Sequence, residues 1–207
     1  MVMSSIMGCM QEPSIEEEEP HSEDVASDLQ EALDEAGETV REALGGEESV
    51  DYRTLEEILP NAVAGLDRVE REGGRTQVLG MSFTAVSAKY AYEDQSIEID
   101  LADLGSLTSL VALGATEWLE TEIDRESHRG FERTRKYRRR GNTYPSYEKM
   151  DGDHCEIQIC IADRFIIGIE GKRVSMDLCE EARDEIDFRR LERIKKKAEA
   201  KKRREQR

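Results

Sequence analysis

Asp151, Asp153, His154 and Cys155 place two carboxylates, an imidazole and a thiol within five residues, the one run in the sequence with the donors of a metal site. Zinc ligands converge in a tetrahedron and usually come from two separated pairs. Here the second pair is missing, because Cys160 lies five residues on and, on a strand, faces away from Cys155. The calcium-loop pattern fails too, lacking a downstream acidic residue at the right spacing. The segment therefore reads as a polar β-turn, and neither a metal nor another cofactor is expected. Of the remaining histidines, His21 lies in an acidic head and His128 in the charged loop Asp124–Arg129.

Nucleophilic catalysis needs a thiol or hydroxyl with a base in reach. His154 and Cys155 are adjacent strand residues, so their side chains diverge. Cys179 falls on the apolar stripe of a C-terminal helix, where core packing is its expected role. The sequence has no Gly-x-Ser-x-Gly elbow, no Gly-rich phosphate loop followed by Lys and Ser or Thr, and no HExxH pair. Its carboxylates are too numerous to single out a catalytic pair. An enzyme is not expected; a metal-dependent one would have to use Asp151, Asp153 and His154.

Basic residues cluster twice. Arg133, Arg135, Lys136, Arg138, Arg139 and Arg140 interleave with Phe131, Tyr137 and Tyr144, a superficial likeness to a nucleic-acid platform. Arg133, Arg135, Arg138, Arg139 and Arg140 are candidates for holding an anion; the acidic head of the same chain, or nearby Glu on a solvated sheet face, would answer the same charges. The second cluster is the tail from Lys195 to Arg207. Against both stands a net charge of −17, which argues against nucleic acid as a partner for the whole molecule.

That charge is unevenly distributed. Residues 1–60 hold 18 acidic residues against Arg41 and Arg53, a net of −16. Residues 61–188 carry −9 and residues 189–207 carry +8. In the head, Ile6-Met7-Gly8-Cys9 resembles the lipobox of bacterial lipoproteins, which makes Cys9 a lipidation candidate. No Lys or Arg precedes Arg41, so either the basic region of a signal peptide lies upstream of Met1 or Cys9 is a chance cysteine in a disordered cytoplasmic terminus. The polar, acidic residues after Cys9 suit a tether. No run approaches the length of a membrane-spanning helix.

Four organisational units follow: a disordered acidic head over 1–21, an acidic amphipathic helix with a Gly linker over 22–49, a domain over 50–194 and a basic helical tail over 195–207. In the second, Val25, Leu29, Ala32, Leu33, Ala36, Val40 and Leu44 recur at helical spacing. Within the domain, Val50–Leu59 reads as a short amphipathic helix ended by Pro60. Val86, Ala88, Tyr90 and Tyr92, then Ile97, Ile99 and Leu101, alternate as two half-buried strands. Leu104–Leu119 reads as a helix. Gly130–Lys149 reads as a hairpin broken at Arg140-Gly141-Asn142. Cys155–Ile161 and Phe165–Ile169 form a second hairpin about Asp163, and Val174–Ile194 a closing helix.

The expected fold is α+β, with an antiparallel sheet of about six strands in the order ββαββββα and helices on one face. The strings Gly130-Phe131-Glu132-Arg133-Thr134, Tyr147-Glu148 and Ala162-Asp163-Arg164-Phe165-Ile166-Ile167-Gly168-Ile169-Glu170-Gly171 resemble uncharacterised bacterial envelope proteins whose single domain is similar to the PsbP/Mog1-like α+β sandwich. The resemblance implies a non-enzymatic binding or assembly module, periplasm-facing and lipid-anchored, with an unknown protein or small ligand as partner. The alternative is a cytoplasmic adaptor that engages partners, or nucleic acid, through its basic hairpin and tail.

Overall fold

The computed structural model describes residues 49–78, 81–105 and 117–205. Cys9, the expected acidic helix and residues 106–116 of the expected helix Leu104–Leu119 lie outside them. The described elements are α1 (Tyr52–Glu56), β1 (Ala62–Val63), β2 (Leu66–Val78), β3 (Met81–Tyr92), β4 (Gln95–Asp103), α2 (Glu117–Glu120), β5 (Asp124–Ser127), β6 (Gly130–Arg139), β7 (Asn142–Asp151), β8 (His154–Ile161), β9 (Phe165–Lys172), α3 (Met176–Glu185) and α4 (Phe188–Glu205).

The strands form one sheet in the order β1-β2-β3-β4-β9-β8-β7-β6-β5, and every neighbouring pair is antiparallel. This corrects the sequence expectation. The sheet has nine strands rather than about six, and the α+β arrangement ββαββββα is not observed. Three strands account for the difference: β1, β2 and β5. β2 reads Leu-Asp-Arg-Val-Glu-Arg-Glu-Gly-Gly-Arg-Thr-Gln-Val and shows no apolar alternation. It pairs with β3 from Asp67 to Val78, and its covered face is kept small where α1 crosses. A Cβ on Gly73 would lie 2.9 Å from Tyr52 Cδ2 and 3.1 Å from Val86 Cγ1. β5 is exposed throughout, as a short charged edge strand can be.

The expected helix Val174–Ile194 is in fact two. Ile186 has extended backbone and is fully buried, and Asp187 then caps α4 by accepting from Arg190 N through Oδ1 at 3.2 Å. An Asp N-cap satisfies an amide that the first turn leaves open. The expected tail 195–207 continues α4 as far as Glu205.

Alternation places the core. Ala88, Ile99, Ile169 and Ile157 are successive cross-strand partners and all are buried. α1, α3 and α4 cover this face through Leu55, Cys179, Ala182 and Leu191. Cys155 of β8 and Cys179 of α3 form a disulfide, and β9 passes beneath it at Gly171. A Cβ there would come within 2.5 Å of both sulfurs, so the bridge leaves room for no residue but glycine at that point. Cys160 is free and buried, and burial pushes its thiol up to about 11.

At the end of the sheet Asp103 and Arg164 form a buried bidentate pair, Nε to Oδ1 at 2.7 Å and Nη2 to Oδ2 at 2.8 Å. Asp103 also accepts from Val50 N at 2.7 Å and Gly105 N at 3.0 Å. Arg164→Leu would strand a buried carboxylate and is expected to cost about 3–5 kcal/mol, read from urea unfolding. Asp103→Asn combined with Arg164→Leu should cost less than the two single changes together; strictly additive losses would mean the groups act separately.

Tyr90 donates to Pro60 O at 2.9 Å and is fully buried. Burial pushes its phenol up to about 12, against an opposing Arg68 charge. The folded state then holds its proton where the unfolded phenol has lost it, so stability falls as pH rises from about 10 towards 12. Tyr90→Phe should flatten that fall in urea titrations at stepped alkaline pH. An unchanged slope would assign the loss to other groups.

Candidate functional site: a basic surface at one end of the sheet

The register of β6 divides its cations between the two faces. Arg133, Arg135, Tyr137 and Arg139 are cross-strand partners of Glu148, Ser146, Tyr144 and Asn142, on the face that α3 and α4 cover. Glu132, Thr134, Lys136 and Arg138 take the other face. Three of the five anion-binding candidates therefore meet groups of this chain. Arg133 donates to Glu148 Oε2 from Nε at 3.0 Å and Nη2 at 2.9 Å. Arg135 donates from Nε to Glu148 Oε1 at 2.6 Å and from Nη2 to Glu180 Oε1 at 2.8 Å. Arg139 donates to Ile186 O at 2.9 Å and to Asp184 O. It thus satisfies carbonyls at the end of α3, which a helix C-terminus otherwise leaves open. Arg138 and Arg140 are exposed.

Glu148 is fully buried, and Arg183 of α3 brings Nη1 to 3.6 Å from its Oε1. Arg183 lies 3.9 Å over the Tyr137 ring and donates from Nε to Asp184 Oδ1 at 2.8 Å. The Tyr137 hydroxyl donates to the same oxygen at 2.6 Å. Burial would push Asp184 up, but these two hydrogen bonds and the charges of Arg183 and Arg139 outweigh it and hold the carboxyl below its ordinary range. Burial raises the Tyr137 phenol, and its bond to Asp184 raises it further. Each arginine on the covered face thus has an acceptor or ring partner within the fold, while Arg183 Nη1 is buried beside Glu148 without a hydrogen bond.

α4 is fixed to the hairpin tip by packing and by carboxylate contacts. Phe188 meets Tyr144 edge-on at 5.4 Å and Tyr137 at 6.4 Å. Glu192 Oε1 accepts from Asn142 Nδ2 at 2.6 Å and from the Tyr144 hydroxyl at 2.7 Å. Further along, Lys195 Nζ donates to Ala162 O at 2.6 Å in the β8–β9 turn. The two basic clusters that the sequence separates are thereby joined. Arg140 and Arg189 line one small cleft. Asn142, Tyr144, Lys195 and Lys196 line a larger open one of about 430 Å³, with Glu192 and Glu199 on its walls and Cys160 at its edge. The result is a basic surface running from the hairpin tip along α4, on a chain of strongly negative charge.

The residues weighed for metal or nucleophilic chemistry are dispersed. Asp151 pairs with Arg129 Nε at 2.9 Å. His154 lies opposite Asp151 in the β7–β8 register, with Nε2 3.8 Å from Glu170. Cys155 is committed to its disulfide. Among the described residues no three His, Cys, Asp or Glu side chains converge as metal ligands. Sequence reasoning passed over Glu148, Asp103 and Asp187, because in so acidic a chain one carboxylate resembles another. The signal was position: Glu148 falls on the apolar phase of β7, with Tyr144 and Ser146. No protein family, curated protein or solved structure matches this chain.

Glu148→Gln would leave Arg133, Arg135 and Arg183 facing one another without their shared counter-charge. It is expected to cost about 3 kcal/mol or more, against about 0.5 kcal/mol or less for the exposed Lys197→Ala, both read from urea midpoints. Equal, small losses would mean that Glu148 does not anchor α3.

Proposed function

We propose that this chain is a non-enzymatic binding or assembly module of the cell envelope, held at a membrane by a lipid on Cys9 and reaching its partner on the acidic tether that follows. The observation that carries the reading is the buried Cys155–Cys179 disulfide, which joins β8 to α3 across a sequence separation of 24. Such bonds form and persist in oxidising compartments, among them the periplasm, and are rare where glutathione keeps thiols reduced. Ile6-Met7-Gly8-Cys9 supplies the attachment point. The alternative, a cytoplasmic adaptor working through the basic hairpin and tail, draws support from the single surface that these two make. The disulfide weighs against it.

The test is the intact mass, without reductant, of the protein recovered from a membrane fraction after expression of its gene with the upstream region. The expected species begins at Cys9, carries a diacylglyceryl group and is lighter by the hydrogens of one disulfide. A soluble, unmodified chain retaining Met1, with every thiol free, would overturn the reading and favour the adaptor.

A further inference from the structure

We infer that the basic surface of α4 and the hairpin tip is the docking site of this chain's own acidic N-terminal segment, residues 22–44. Charge complementarity is the first argument. Residues 1–48 carry 15 acidic residues against the single Arg41, a net of −14. α4 from Arg189 to Glu205 carries ten basic residues against three acidic ones, a net of +7. Its Arg189, Lys196, Lys197, Arg203 and Arg204 are exposed. Past Ala200 the helix offers no apolar residue at all, so what it recognises there it recognises by charge.

Place is the second argument. The acidic segment leads into the fold at Ser49 and Val50, and the contacts from there lead step by step to α4. Val50 N is held by Asp103 Oδ2 at 2.7 Å. Asp103 is paired with Arg164. Arg164 closes the β8–β9 turn by donating its amide to Ile161 O at 3.2 Å. In that turn Ala162 O accepts from Lys195 Nζ at 2.6 Å. The most negative part of the sequence therefore emerges at the same end of the sheet as its most positive part. A helix over residues 22–44 would be about 34 Å long, ample to lie along the exposed half of α4, which spans about 15 Å.

The segment's carboxylates Glu23, Asp24, Asp28, Glu31, Asp34, Glu35, Glu38 and Glu42 then answer the exposed cations of α4. Held so, the segment covers the basic surface from other anions and shortens the tether. The inference does not rest on lipidation of Cys9 and stands in either compartment.

Zero-length carbodiimide cross-linking of the full chain, mixed with an equal amount of nitrogen-15-labelled chain, tests it. The expected products join Lys196 or Lys197 to carboxylates between Glu23 and Glu42 within one copy. Their yield should fall severalfold between low salt and about 0.5 M salt, where the screening length is only a few ångströms. Combining Arg189→Glu, Arg203→Glu and Arg204→Glu leaves both reporter lysines in place and should lower the yield to a similar degree, with the circular dichroism of the sheet unchanged. Products joining labelled to unlabelled copies alone would overturn the inference in favour of a second copy. So would lysines linked only to carboxylates of the sheet domain, or yields indifferent to salt and to the arginine reversals.

Discussion

The Asp103–Arg164 pair is the interaction on which one whole end of this molecule depends. Neither side chain reaches solvent, and removing two ions from water costs several kcal/mol each unless the geometry compensates. Here it does: two direct guanidinium bonds and two backbone amides satisfy the carboxylate. The pair does more than balance charge. It ties the last residue of β4 to the turn before β9, and ties the start of the described chain to both. Ala162 and Asp163 hold positive φ in that turn, a conformation that non-glycine residues adopt at some cost. Arg164, locked at its far end, is a sufficient reason for the turn to stay closed there. Lys195 reaches the same turn, which gives α4 one of its contacts with the sheet there.

How much of this was legible follows from how each element is buried. Strands with one face on the core, such as Ile97–Leu101 and Cys155–Ile161, show the two-residue period plainly, because a one-residue slip would expose every isoleucine. Both central hairpins are readable for that reason. Edge strands obey a different constraint. β5 pairs with β6 alone, and β2 pairs along its length with β3 but meets β1 only at Leu66 and Asp67. Both have little apolar surface to bury, so their sequences carry charge and glycine where a pattern search wants valine. Gly73 looks like a breaker in the sequence and is in fact the residue that lets Tyr52 of α1 lie close to the sheet. The break at Ile186 hides for the opposite reason. Leu178, Ala182, Ile186 and Leu191 keep near-helical spacing across it, and only the capping by Asp187 and the Arg139 guanidinium reveals that two helices share one apolar stripe.

The candidate site was legible in its residues but not in its assembly. The sequence offers Arg133 to Arg140 and Lys195 to Arg207 as separate basic runs. Strand periodicity decides that Arg133, Arg135 and Arg139 turn inwards while Arg138 turns outwards, and it could have been applied before the fold was known. The sequence does not say that Glu148 would be their common counter-charge, since that depends on the β6–β7 register and on α3 lying above it. Nor does it say that Phe188 would seat α4 against Tyr137 and Tyr144 and so merge the two runs.

The two C-terminal helices are held by different forces, and the difference bears on what each can do. α3 is fixed covalently through Cys179 and electrostatically through Arg183 beside a carboxylate with no access to water. Neither attachment yields to modest changes of salt, since buried pairs are screened far less than exposed ones. α4 is anchored over its first two turns by Phe188 and Leu191, and beyond them by Lys195 and by charge alone. Its outer half has no apolar face to bury, so whatever meets it must be anionic and must compete with the solvent's own ions. A rigid sheet end thus carries a helix whose inner half is part of the core and whose outer half responds to charge. In a chain of net charge −17, the densest run of acidic residues lies in the sequence before Ser49.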